Sequence, residues 1–136
     1  MTLGQAPPRP VNIADRFARV AATQASRAAL VIGPQTITYA ALARLVDQRA
    51  RELADAGIGE GTRTVLMVRP GLEFFALTFA LFKLGALPVF VDPGMGLANL
   101  GTCLAEARPE AFVGIPRAHL ARLVAGWGKA TLRRHV

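Results

Sequence analysis

The sequence of 136 residues holds one cysteine, Cys103, two histidines, His119 and His135, and a single tyrosine and tryptophan. One cysteine excludes an intrachain disulfide, and nothing calls for an oxidising compartment. Neither histidine has a Cys, Asp or Glu at metal-ligand spacing, so no metal site is read, and His119 is expected as a surface or half-buried residue. No Gly-Lys-Ser/Thr occurs, which excludes a P-loop. Met1 to Pro10 hold three prolines and no apolar core, so they are neither a secretory signal nor a lipidation site. Residues 1–11 read as a flexible tail, with a cytoplasmic setting by default. Acidic residues are scarce too, nine against sixteen basic, for a net charge of +7. That balance raises nucleic acid as a partner. Yet fourteen of the sixteen basic residues are arginines spread from Arg9 to Arg134. No basic helix face with interleaved aromatics appears, so the charge reads as a solvated surface.

What is present is apolar. A hydrophobic content of 52% with 18% charged residues describes one globular domain able to bury a core, here residues 12–136. The organising stretch is Leu81 to Pro93. Leu72 to Leu84 is apolar on all sides except Glu73, Thr78 and Lys83, which predicts a buried helix. Gly85 ends it in the left-handed conformation, with Lys83 at the negative end of the dipole. Leu87 to Val91 follows as a continuous apolar run, expected to be a central parallel strand covered on both faces. Pro88 there implies the strand's first residue or a bulge. Read as one membrane span of about twenty residues, the same stretch would place Lys83 inside the bilayer at about 2.5–3.5 kcal/mol. Gly85 and Pro88 would also break the helix, so the helix, turn and strand are preferred.

Before this stretch, Asn12 caps a helix running to about Gln24, with Asp15 as a capping-box partner and Ile13, Phe17, Val20 and Ala21 on its inner face. Ala28–Ile32 and Thr36–Thr38 form a hairpin around Gly33-Pro34-Gln35. Tyr39 to Ala56 is an amphipathic helix, Leu42, Leu45, Val46, Ala50 and Leu53 inward, closed by Gly57. Arg63–Val68 is a strand. After Pro93 come a helix over Leu97–Ala107 with Leu97, Leu100 and Leu104 inward, a strand over Ala111–Ile115, and a helix over Arg117–Ala125 with Leu120, Leu123 and Val124 inward. Alternating strands and helices give an α/β fold, a parallel sheet with helices on both faces, preceded by a helix and a β-hairpin.

Two motifs in the right order carry a resemblance. Thr38-Tyr39-x-x-Leu42 with Gly57-Ile58-x-x-Gly61-x-Arg63-x-Val65, then Lys83-x-Gly85-Ala86-x-x-Val89-x-Val91-Asp92-Pro93, resemble the adenylate-forming enzymes: acyl-CoA synthetases, luciferases and peptide-synthetase adenylation domains. Within that superfamily, Val91-Asp92-Pro93-Gly94-Met95-Gly96 and Pro109 to Leu120 resemble the β-lactone synthetases of bacterial olefin biosynthesis. The resemblance implies a parent that uses ATP and Mg2+ to adenylate a long-chain 3-hydroxy acid, whose own hydroxyl then closes a β-lactone. It also implies a ketoreductase and a hydrolase-fold β-lactone decarboxylase as pathway partners. The family's Ser/Thr/Gly-rich loop ending in Pro-Lys-Gly, its later nucleotide motifs and its catalytic lysine are not in these 136 residues. Residues 12–136 are therefore expected to be an incomplete N-terminal subdomain, inactive alone and prone to self-association. Arg133-Arg134-His135 read as a place where the chain was cut.

No catalytic, cofactor-binding or metal residue is assigned. Lys83, Gly85, Asp92 and Pro93 are expected to set the helix-to-strand corner. Gly94-Met95-Gly96 lacks a third glycine at position 99 and reads as a turn rather than a phosphate loop. Asp92 caps that turn rather than acting as a base, and Cys103 is expected in the core. Two other readings stay open, an acyl-CoA synthetase or peptide-synthetase adenylation parent, and a stand-alone non-catalytic module.

Overall fold

The computed structural model describes residues 11–128 and 131–136. The expected tail falls outside them except for Val11, and so do the side chains of Leu97, Leu120 and Val124.

Helix α1 spans Ile13–Thr23, and Asn12 caps it by accepting the Ala14 N–H at 2.9 Å. The expected capping-box pair with Asp15 does not form: the Asp15 backbone N–H donates to the Asn12 carbonyl, the ordinary first-turn bond, and the Asp15 side chain does not return to the cap. The Asn12 amide is spent elsewhere, donating to Phe82 O at 2.6 Å and tying α1 to a later helix. The inner face holds Phe17, Val20 and Ala21 as expected, with Ala14 in place of Ile13 at its start. Ala14 is buried and Ile13 is 53% exposed, because the small Ala14 lets α1 lie close on its neighbours. Strands β1 (Ala28–Ile32) and β2 (Gln35–Thr38) form the hairpin. Gln35, expected in the loop, pairs with Ile32, which leaves a two-residue Gly33-Pro34 turn. Gly33 at φ +56° takes the conformation a tight hairpin turn demands of its first residue.

Strand β2 runs straight into helix α2 (Tyr39–Asp55), because the Thr38 hydroxyl accepts the Ala41 N–H and caps the helix without a linker. Leu42, Val46, Ala50 and Leu53 are buried along one side of α2, while Arg44, Gln48, Arg51, Glu52 and Asp55 face water.

The main sheet has four parallel strands, β3 (Arg63–Met67), β4 (Leu87–Phe90), β5 (Ala111–Gly114) and β6 (Arg134–His135), in the order β4-β3-β5-β6. Helices α3 (Leu72–Lys83), α4 (Leu97–Ala107) and α5 (Pro116–Ala125) connect them. Alternation along the strands divides the core. Leu66, Ala111 and Val113 pack with α2 and α3 on one face, and Val65 and Phe112 pack with Leu100, Leu104, Ala118 and Trp127 on the other. The parallel sheet with helices on both faces, after a helix and a hairpin, is as the sequence predicts.

Several expectations are corrected. Strand β4 is an edge strand: the centre belongs to β3 and β5, whose Val65, Ala111 and Phe112 are fully buried, while Leu87 and Phe90 are 52% and 51% exposed. Pro88, second in the strand and in register with Thr64, fits this place, because an edge strand tolerates a missing N–H. Helix α3 is not buried all round, since Phe75 is 37% exposed. Thr78, one of its polar exceptions, is buried and satisfied by donating to Phe74 O at 2.7 Å. On α5, Leu123 points outward, and Ala118 and Trp127 fill the space instead. Arg134 and His135 form strand β6, in register with Ala111 and Phe112. Among the described residues no helix is long and apolar enough to cross a membrane.

Candidate functional site

The strand order singles out one place. From β3 the chain leaves through α3 to β4 on one side, and from β5 it leaves through α5 to β6 on the other. The connections diverge at the carboxyl ends of β3 and β5, the point where open α/β sheets form a ligand crevice. Its rim is the segment after β3, residues 68–71, and Ile115 after β5. The Ile115 N–H donates to Met67 O and closes the floor between the two strands. Gly114 makes that floor tight, since a Cβ there would lie 2.7 Å from a Phe112 ring carbon and 3.2 Å from Met67 O. Helices α3, α4 and α5 all begin at this edge, at Gly71, Gly96 and Ile115, and none of the three has a side-chain cap. Their aligned N-termini make the edge electropositive, and the exposed Arg69 adds to it. The edge can attract an anion, but it holds no acid, base or nucleophile poised for chemistry.

The neighbouring glycine turn is occupied from within. Pro93–Met95 form a 3-10 turn in which Asp92 Oδ1 accepts the Gly94 N–H at 2.8 Å, the capping role expected from the sequence. A carboxylate seated on that amide excludes a phosphate from it. Lys83 and Gly85 likewise hold the corner. The Lys83 ammonium pairs with Asp47 on α2, and Gly85 at φ +70° ends α3 and accepts the Gly61 N–H at 2.9 Å. A second bridge between these helices, not foreseen from the sequence, runs from Arg49 to Glu73 at 2.7 Å, and Arg49 also pairs with Glu52 on its own helix at 2.7 Å. Hydrogen bonding to Arg49 holds the Glu73 carboxylate below the usual range, and bonds from Gln48 and then Arg49 do the same for Glu52.

The remaining candidates stay apart from any reaction centre. Cys103, expected in the core, is exposed, because Leu100 and Leu104 take the inward face of α4. His119 is half-buried, its ring 5.0 Å from that of Phe112 and its Nε2 3.0 Å from Val136 O. His135 lies 6.3 Å away, ring to ring, its pKa lowered by burial and then by Arg122 and His119. Arg122 sits over the Phe112 ring at 5.7 Å. Among the described residues no Asp or Glu side chain pairs with either imidazole. Among the described residues no three His, Cys, Asp or Glu side chains are grouped to hold a metal ion. The switch point itself was hidden from the sequence, because strand order is a matter of pairing that no local pattern reports.

The family model for the AMP-binding enzyme matches residues 17–135. An olefin β-lactone synthetase from Stenotrophomonas maltophilia (strain K279a) is 57% identical over 98 residues, covering 72% of this chain and 18% of that protein. One from Xanthomonas campestris pv. campestris is 55% identical over 92 residues, 68% of this chain and 16% of that protein. The chain thus spans less than a fifth of the length of these curated relatives. Among solved structures, the coronafacic acid ligase from Pectobacterium brasiliense superposes with a TM-score of 0.81 at 18% identity over 92% of this chain and 25% of that one. A fatty acyl CoA synthetase from Mycobacterium tuberculosis gives 0.81 at 21% identity over 92% and 26%. At such identities the solved structures establish the fold alone.

Proposed function

The chain belongs to the AMP-binding enzyme family, and from that membership we propose that it is the N-terminal scaffold of an ATP-dependent ligase of the β-lactone synthetase type. The proposed reaction turns a long-chain 3-hydroxy fatty acid and ATP into a β-lactone, AMP and pyrophosphate. The observation that carries this reading is the 57% identity to an olefin β-lactone synthetase over 72% of the chain. A ketoreductase supplying the 3-hydroxy acid and a β-lactone decarboxylase consuming the product are the proposed partners, in a cytoplasmic setting.

ATP and Mg2+ supply the activating chemistry in such enzymes, but the described residues do not fit them. The Gly94 amide is taken by Asp92, and no carboxylates are grouped for a metal. The role proposed for Lys83, Gly85, Asp92 and Pro93 is therefore structural: Lys83 and Gly85 hold the turn between α3 and β4, and Asp92 and Pro93 form the 3-10 turn that follows β4 at the sheet's carboxyl edge.

The test is product analysis on a full-length parent carrying this chain, given a long-chain 3-hydroxy acid with ATP and Mg2+, with and without coenzyme A. A β-lactone formed without coenzyme A supports the reading. An acyl-CoA product would move it to the acyl-CoA synthetases, and aminoacyl adenylate formation would move it to the peptide-synthetase adenylation domains. The 136-residue chain alone is expected to release no AMP; release of AMP would overturn its role as a scaffold. Stable function of the chain without any parent would favour the non-catalytic module.

A further inference from the structure

Helix α5 and strand β6 meet around the buried Phe112 ring, and the seam between them gathers basic groups. From α5, His119 sets its ring 5.0 Å from Phe112, and the Arg122 guanidinium lies 5.7 Å from the same ring. From β6, His135 stands 6.3 Å from His119, ring to ring. Strand β5, Ala111 to Gly114, brings no charge. Glu110 just before it pairs with Arg63, and Arg134 on β6 lies against Gly57. Among the described residues the buried Arg122 Nε has no hydrogen-bond partner. Strand β6 is held lightly for its part. Beside its register with Ala111 and Phe112, the Val136 N–H donates to Phe112 O at 3.0 Å, and Val136 O accepts the Gly114 N–H at 3.1 Å. His119 Nε2 lies 3.0 Å from the same carbonyl, which only accepts, so Nε2 carries the proton.

We propose that this seam is an acid-sensitive latch: β6 lies on β5 while His135 is neutral, and charging of His135 beside Arg122 and His119 releases the strand. Burial, then Arg122 and then His119 disfavour charge on the docked His135 and hold its pKa below 6.5. Once detached it returns to 6.5, so the detached form takes up the proton more readily. Docking is therefore at full strength above that value and weakens as pH falls through it towards the lower docked pKa. His135 is exposed, which keeps the repulsion small. A two-residue strand with few bonds opens at little cost, so a small effect moves it. Release also bares the Gly114 N–H at the floor of the candidate crevice, which carries the acid response to the sheet's carboxyl edge. The latch stands on the seam and not on the proposed reaction, so either can fail with the other intact.

The experiment measures amide exchange with solvent by NMR on the 136-residue chain, from about pH 8 down to about pH 5, each rate divided by its intrinsic value at that pH. The Gly114 and Val136 amides should lose protection together on acidification, while Val65 in the central strand keeps its own. His135→Gln, at an exposed position, should hold the two amides protected across the range. Arg122→Met keeps an apolar contact with Phe112 and removes the charge, and should blunt the loss. Should that variant fail to fold, His135→Gln decides the matter. Protection of Gly114 and Val136 that does not change with pH, its absence already at about pH 8, a loss shared by Val65, or an undiminished loss in His135→Gln would each overturn the latch.

Discussion

At the scale of single residues, Asn12 and Gly85 show how far a local pattern reaches. Both were legible in the sequence, one as a helix cap and one as a helix stop, because each answers a need of its own helix. The second half of Asn12's work was not legible, since its Nδ2 donates to Phe82 O seventy positions away. The two halves separate by mutation. Asn12→Asp keeps the acceptor for Ala14 and loses the donor to Phe82, whereas Asn12→Ala loses both. The alanine variant is expected to cost about 1–2 kcal/mol and the aspartate variant less, read as the shift in urea midpoint at constant slope. Gly85→Ala is a different case. Its added Cβ meets Glu60 Cγ at 3.4 Å, an ordinary contact, so its cost lies in the φ of +70° alone. A loss of about 1–2 kcal/mol is expected from left-handed backbone, and an unchanged midpoint would remove Gly85 from the corner.

At the scale of elements, hydropathy period placed the helices and strands well; α4 runs over Leu97–Ala107 as read from its leucines and the flanking glycine. What it could not give was neighbourhood. A continuous apolar run such as Leu87–Val91 reports covered faces but not how many strands lie beside it, so β4 was placed at the centre and lies at the edge. Strand β6, two residues long, is too short to leave any period. The bridges between α2 and α3 were missed for the same reason, since Arg49 and Glu73 sit on different elements. They predict an acid response. Glu73 and Glu52 have folded pKa values below their unfolded value of 4.5, so their contribution is present above that value and is lost as pH falls through the folded values. Because both carboxylates are exposed, the effect is small and screened by salt. Arg49→Met should flatten the stability curve below about pH 5 at low ionic strength and leave little difference in high salt. A variant curve parallel to that of the parent chain would show the bridge to be idle.

At the scale of the whole molecule, the sheet is covered on both faces and, among the described residues, ends at β4 on one side and at the two-residue β6 on the other. The fold class was legible because strand and helix alternate. The candidate crevice was not, because it exists only once β3 and β5 are neighbours whose connections part. The longer of the two edges, β4, governs behaviour in solution. Strand β4 presents unpaired backbone groups beside half-exposed Leu87 and Phe90, with Phe75 exposed on the helix that precedes it. Such an edge is a template for another strand, and an apolar margin adds to the attraction. The net charge of +7 opposes association through long-range repulsion, which salt screens. The two forces predict a salt-dependent equilibrium: the chain should associate reversibly, and more so as ionic strength rises and repulsion fades. Phe90→Lys places a charge on the edge, the device natural sheets use against pairing, and should keep the chain monomeric under the same conditions with its fold unchanged. Light scattering across concentration and salt checks both. A clean monomer throughout would mean that Pro88 and the twist of so short a strand already protect the edge, and an equally associated Phe90→Lys variant would move the contact to another face.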